Sequence, residues 1–211
     1  MVMVPARFDT DVRTSGGSIR EEGIHGKVLA RTSGGSLNFT HIKGDLTGNT
    51  SGGSIHGVEC QGDIRVKTSG GSITFDKGSG SLEGSTSGGS IRVAGFKGSI
   101  LVRTSGGGIK LDEVSGEIEG STSGGSITAR LNEPLKENVN LRTSGGGITL
   151  EMDEKSAFDL DASTSGGGVH CDIPVSVTGK RHHNSLRGPA NGGGKTVNLR
   201  TSGGGIHVKK S

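Results

Sequence analysis

The chain has 211 residues, of which 42 are Gly and 5 Phe, with no Trp or Tyr, and only 28% are apolar. That is little for the core of an ordinary globular enzyme, where about 45–50% is usual, and five rings are too few for the stacking platforms of a single-strand nucleic-acid binder. The formal charge of +3 is spread over interspersed signs, with no Lys/Arg run longer than Lys180-Arg181 or Lys209-Lys210, which excludes a polybasic nucleic-acid tail.

The opening stretch MVMVPARFD has no basic segment ahead of an apolar one, so no signal peptide is read there. No apolar run reaches the roughly 18 residues of a membrane span. From Arg13 the motif RTSGGSI begins to repeat, placing Thr at 14, 32, 50, 68, 86, 104, 122, 143, 164 and 201. The first six steps are 18 residues, the next two 21 and the last 37. A fixed period of this kind separates the chain from disordered Gly/Ser sequence and predicts a stack of equivalent units.

Four residues before Thr, the column Val28, Leu46, Ile64, Leu82, Ile100, Ile118, Val139, Leu160 and Val197 is aliphatic, with Thr10 in the first coil. Two before Thr come Val12, Ala30, Gly48, Val66, Gly84, Val102, Gly120, Leu141, Ala162 and Leu199. This alternation predicts a strand with one buried face that carries Thr inward. Five after Thr, Ile19, Leu37, Ile55, Ile73, Ile91, Ile109, Ile127, Ile148, Val169 and Ile206 begin a second inward strand. Ser-Gly-Gly between them is read as a corner taken by glycines at positive φ, and Gly26, Gly44, Gly62, Gly80, Gly98 and Gly116 as another corner. The expected fold is all-β: a single-stranded parallel β-helix, or β-solenoid, of about ten coils and roughly 45–50 Å. It forms one domain over 1–211, with regular 18-residue coils to about 121, longer coils with insertions over 122–200 and a last coil over 201–211.

Inward Thr hydroxyls at a corner should bond from coil to coil and to the turn backbone. An ice-binding array needs outward Thr on a flat face, which this register opposes. The residue before Thr is basic in many coils (Arg13, Arg31, Lys67, Arg103, Arg142, Arg200) and from Lys67 onward alternates with Ser85, Ser121 and Ser163, whose coils carry Glu83, Glu119 and Asp161. Opposite charges should therefore pair across rungs.

Candidate chemistry is sparse. Cys60 and Cys171, inward or nearly so and about six rungs apart, lie too far from each other for a disulfide and read as buried thiols. GPANGGGKT, Gly188 to Thr196, has one residue too many for a phosphate-binding loop and opens no helix. The GGxGxD ligand pattern of Ca²⁺-binding rolls is absent. Asp45 and Asp63 share a column one coil apart, a separation near that of a retaining glycosidase pair, but each follows a corner Gly where Asp is a common turn residue. His170 and His207 share an outward column in neighbouring coils, with His182 and His183 in the preceding insertion, a set read as at most an adventitious metal site. No catalytic residue, cofactor or functional metal site is expected.

The opening VPARFDTDVRTSGGSI, the TSGGSI coils, DLDASTSGGGVHCDIPV and the closing NSLRGPANGGGKTVNLRTSGGGIHV together resemble the bacterial adhesin-type repeat domain of unknown function. The resemblance covers nearly the whole chain. It implies a single-stranded β-helix, usually exported or envelope-associated, whose adhesin label is an inference rather than a demonstrated activity. Relatives generally carry an export signal and further β-coils ahead of the VP segment.

The resulting expectation is a non-enzymatic structural or adhesion module, placed outside the cell or in its envelope by the resemblance, whose partner is an unknown surface or envelope polymer or protein. Recognition would lie on a solenoid face or in the loop from Thr178 to Lys195. A binding protein for an anionic envelope polymer is the alternative, using the column six residues after Thr: Arg20, His56, Arg92, Lys110, His170 and His207. A polysaccharide-active enzyme comes last. The first coil should leave an open parallel edge, blunted by Pro5, Arg7, Asp9 and Asp11 and available for end-to-end self-association, whereas Lys209 and Lys210 should protect the other end.

Overall fold

The computed structural model describes residues 3, 5, 7–177 and 182–211. Among them are eighteen strands: β1 (Thr10–Arg13), β2 (Ile19–Glu22), β3 (Val28–Arg31), β4 (Leu37–Thr40), β5 (Leu46–Asn49), β6 (Ile55–Lys67), β7 (Ile73–Thr86), β8 (Ile91–Thr104), β9 (Ile109–Val114), β10 (Ile118–Thr122), β11 (Ile127–Leu131), β12 (Val139–Thr143), β13 (Ile148–Met152), β14 (Phe158–Thr164), β15 (Val169–Cys171), β16 (Ser185–Ala190), β17 (Lys195–Thr201) and β18 (Ile206–Lys210). No described residue is helical, so no helix long and apolar enough to cross a membrane is present.

The columns pair in the expected register. Val28 lies on Leu46, Leu46 on Ile64, Ile64 on Leu82 and Leu82 on Ile100, all parallel. The second side repeats the pattern with Leu37, Ile55, Ile73, Ile91 and Ile109. A third, short side carries Ile24, Ile42, Cys60, Phe96 and Val114 inward, all buried. Each turn is thus a three-sided coil around one apolar core.

The corners are made differently from the expectation. The second glycine of each Ser-Gly-Gly is not at positive φ. It is required because a Cβ on Gly35, Gly53, Gly71, Gly89 or Gly107 would stand 2.0–2.2 Å from the carbonyl oxygen of the glycine one rung away. Positive φ belongs to the other glycine corner, where Gly44, Gly62, Gly80, Gly98 and Gly116 adopt 110–132°. A third corner, unread in the sequence, follows the column Gly23, His41, Glu59, Lys77, Gly95 and Glu113, and its four non-glycine members sit in the left-handed region at φ 52–57°. Each such residue costs roughly 1 kcal/mol that glycine would not. Charge partly compensates, since Glu59 is 3.0 Å from His41 Nε2 and 3.7 Å from Lys77 Nζ.

The Thr column faces inward as expected, and from Thr32 onward every member is buried. Each of these hydroxyls donates to a glycine carbonyl of the neighbouring rung at 2.6–3.0 Å and accepts from the glycine N–H three residues on at 3.2–3.4 Å. Aromatic bulk is accommodated between rungs. A Cβ on Gly57 would come within 2.1 Å of the Phe75 ring, and one on Gly78 within 2.8 Å of Phe96, so each glycine leaves the space that the next rung's ring occupies.

Coil order is the main correction. About eight turns succeed one another in chain order, not ten. After β12 and β13 the chain skips a level: β14 pairs with β17, and β17 with β12. Likewise β18 lies between β13 and β15. The C-terminal coil is therefore inserted beneath the coil that precedes it. The Thr ladder records the same exchange, because Thr201 donates to Gly146 and Thr164 to Gly204. Lys209 and Lys210 accordingly do not guard an end. The far end is covered by β16, which runs antiparallel along β14 from Phe158↔Ala190 to Ser163↔Ser185.

At the other end β1 pairs, among the described residues, only with β3, leaving the open edge expected there. Just before β1, Asp9 Oδ1 accepts from Lys27 N–H of the second rung at 2.7 Å, a bond between the two rungs that leaves that edge open. In this first rung the inward position held elsewhere by Phe39, Phe75 or Val93 is Glu21, which is buried; Oε2 accepts from the Thr10 hydroxyl at 2.6 Å and Oε1 has no partner. Burial raises the Glu21 carboxyl above its ordinary value, only partly offset by Thr10.

Two stability measurements check this account. Thr104→Val, which keeps the methyl but strands the Gly89 carbonyl, should cost about 1–3 kcal/mol in urea unfolding, and Thr104→Ser, which keeps the hydroxyl, much less; a Ser variant that loses as much as the Val variant would show that the methyl matters as much as the hydroxyl. Glu21 is neutral in folded and unfolded chains at low pH, and its penalty grows as pH rises past the unfolded value and through the raised folded one. Glu21→Gln should therefore raise Tm by about 2–4 °C at pH 7 and leave it unchanged near about pH 3.5; a shift equal at both pH values would show that buried charge is not the cause.

Candidate functional site

A solenoid strand turns every second side chain outward, so each outward column becomes a file of side chains one rung, roughly 4.8 Å, apart. The column six residues after Thr is one such unbroken file. Its order in space is Arg20, Asn38, His56, Thr74, Arg92, Lys110, Thr128, Thr149, His207 and His170. The six candidate binding residues thus share one face, but only Arg92 with Lys110 and His207 with His170 stand on adjacent rungs.

Arg20, His56, Arg92 and Lys110 are exposed, and none forms an ion pair among the described residues. The file two residues further along is acidic in places, with Asp76 one rung from Ala94 and Asp112 held by Arg130 at 2.7 Å. The face is therefore mixed in sign rather than uniformly cationic.

The file before Thr meets the expectation at one place, where Arg103 pairs with Glu119 at 2.8 Å across rungs. Glu83 is met at 3.8 Å by Arg65, three residues before Thr, and not by Lys67. The alternation then fails, because the exchanged coils place Arg142 directly beside Arg200. Arg200 is held by Asp161 through two bonds, at 3.0 and 2.5 Å, and Arg187 adds a third at 2.7 Å. Partial burial pushes the Asp161 carboxyl up, but the bonds from Arg200 and Arg187 outweigh it and hold it below the usual carboxylate range. Among the described residues Arg142 reaches only Asn140, its Nε donating to Oδ1 at 3.1 Å.

At the far end of the first file, His170 and His207 meet as expected, with ring centroids 4.8 Å apart at 73°. Asp172 completes the group: its Oδ1 lies 2.9 Å from His170 Nε2 and 3.1 Å from His207 Nε2. The bond from His207 holds the Asp172 carboxyl below the usual range, and partial desolvation opposes it. Sequence reading missed Asp172, although alternation in VHCD, Val169 to Asp172, puts His170 and Asp172 on one face of one strand.

The remaining candidates are placed apart. Asp45 and Asp63 are exposed on adjacent rungs, with no side-chain hydrogen bond among the described residues. Cys60 is buried and burial raises its thiol, whereas Cys171 is half-buried, its Sγ 3.2 Å from the Ile173 carbonyl. In the exchanged order they stand about seven rungs apart rather than six. Of the expected recognition loop, 178–181 lie outside the described residues. From Ser185 it is a structural cap: β16, then a turn in which Asn191 Nδ2 donates to the carbonyls of Glu154 and Ser156. GPANGGGKT joins β16 to β17 and opens a strand, not a helix. His183 folds back on the end of the stack, its carbonyl accepting from Val169 N–H at 3.0 Å and its ring set against Gly168.

No curated protein and no solved structure matches the chain. The sequence model of the Toastrack DUF4097 domain matches residues 27–209, which span the solenoid from the second rung to the C-terminal strand. A match over this much of the chain, on a repeat whose corners and ladders the structure accounts for residue by residue, places the protein in the Toastrack DUF4097 family, a β-solenoid domain family of unknown function.

Proposed function

We propose that the protein is a non-enzymatic structural or adhesion module of the bacterial envelope or cell surface, a stiff rod that holds an envelope polymer or a partner protein at a set distance. The observation that carries this reading is the continuous stitching of each rung to the next, by parallel main-chain pairing on the sides and by the Thr hydroxyl at the corner. Bending such a rod breaks several hydrogen bonds at one level together. Its length is therefore a mechanical constant, while its outward files are free to vary without touching the core. The resemblance to exported bacterial repeat domains supports the envelope or surface part of this reading.

One observation favours a second reading, binding of an anionic polymer. Arg65, Arg103, Arg130, Arg187 and Arg200 are all committed to carboxylates, whereas Arg20, Arg92 and Lys110 are exposed on one face and form no ion pair among the described residues. A flexible polyanion laid along that face meets cations at intervals of one to four rungs.

For the first reading, protease shaving of intact source cells should release peptides of this protein without lysis; recovery from lysate alone would overturn it. For the second, retention on immobilised polyphosphate at low salt should fall steeply by about 0.5 M salt, as exposed charges are screened. The double variant Arg92→Ser/Lys110→Ser should weaken it further. Retention insensitive to both would leave the rod without a polyanion face.

A further inference from the structure

We propose that His170, Asp172 and His207 form a binding site for a divalent transition-metal ion, with Zn²⁺ as the first ion to test. The site stands independently of the rod's proposed role. Two imidazole nitrogens and one carboxylate oxygen are the donor set that borderline divalent ions accept, and three protein ligands leave coordination positions open to the outside.

The spacing fits an ion. Metal–ligand bonds of about 2.0–2.2 Å place neighbouring donors roughly 3.0–3.4 Å apart in octahedral or tetrahedral arrangement. The observed nitrogen-to-oxygen separations of 2.9 and 3.1 Å match, and the two nitrogens, within 4.8 Å of each other, would draw together to share one ion. The two rings meet edge to face at 73° instead of stacking, as imidazoles do when their nitrogens converge on one point. With His170 exposed and His207 half-buried, a proton on Nδ1 is the tautomer that frees Nε2 for an ion.

The ligands are held on rigid backbone. His170 and His207 are register partners of β15 and β18. Ile206 N–H donates to the Gly168 carbonyl at 2.9 Å just before the pair, and Asp172 N–H to the Val208 carbonyl at 2.9 Å just after it. A ladder bond thus closes each end of the constellation. The open side looks along a shallow groove over Thr149 and Thr128, the next residues of the same file. Oxygen ligands from a bound partner would reach an ion there.

The test is calorimetric titration of the tag-free full chain with ZnCl₂, repeated with NiCl₂. One-to-one saturable binding is expected, weakened at least about tenfold in His207→Ala and in Asp172→Asn. Melting in metal-free buffer checks that both variants fold, and Asp172→Asn, an exposed near-isosteric change, keeps the test intact if His207→Ala does not. Zn²⁺ should also raise the Tm of the wild-type chain and leave that of the variants unchanged. Absence of saturable binding, or binding that both variants retain because His182, His183 or the cysteines supply it, overturns the site.

Discussion

One hydroxyl per turn ties this molecule together. Each Thr from the second rung onward bonds outward to the neighbouring rung and locally to its own corner, so the coil closes and stacks through the same atom. The bond forms only because the corner glycine brings two backbones closer than any Cβ allows, about 2 Å at the position a methyl would take. Thr and Gly are therefore one device. Each such bond contributes only about 1 kcal/mol net, but an unpartnered carbonyl at the same buried corner would cost more, and the device repeats at every level from the second rung onward.

Stacking of identical rungs sets the other constraints. A column places like on like, so bulk and charge must be offset between rungs. The core does so with volume, Gly57 yielding to Phe75 and Gly78 to Phe96. The surface does so with sign, as in His41, Glu59 and Lys77 along the left-handed corner and in Arg103 with Glu119 on the flank. Where two arginines do stack, Asp161 sits over Arg200 and absorbs the conflict. The first rung is the exception, with Glu21 facing a core that has no base to pair with it.

The exchanged coils give the far end its character. Threading β17 and β18 back beneath β14 and β15 locks the last inward strands on both sides and leaves β16 as an antiparallel cover, which hides the edge that a simple solenoid would expose. The same exchange builds one cluster in the file six residues after Thr and one in the file before Thr. His170 and His207 close on Asp172, and Arg142 comes beside Arg200. Rod and site are separable in this design, since the ladder determines spacing while the outward residues determine what is met.

The sequence by itself determined the period, the inward columns, the direction of every Thr side chain and the shared file of Arg20, His56, Arg92, Lys110, His170 and His207. All of these follow from the period-two alternation within a strand and from equal steps between turns, which are local properties of the chain. Only the tertiary structure decided which of the last two coils lies next to the eighth. Val169 and Ile206, Thr164 and Thr201, Leu160 and Val197 are equivalent column members, so either coil fits either slot, and periodicity cannot rank them. The choice rests on β16, which pairs antiparallel to β14 and whose pairing no repeat encodes. The left-handed corner at His41, Glu59, Lys77 and Glu113 was hidden for a related reason: its residues have no compositional mark of positive φ, and neighbouring rungs impose the conformation on them.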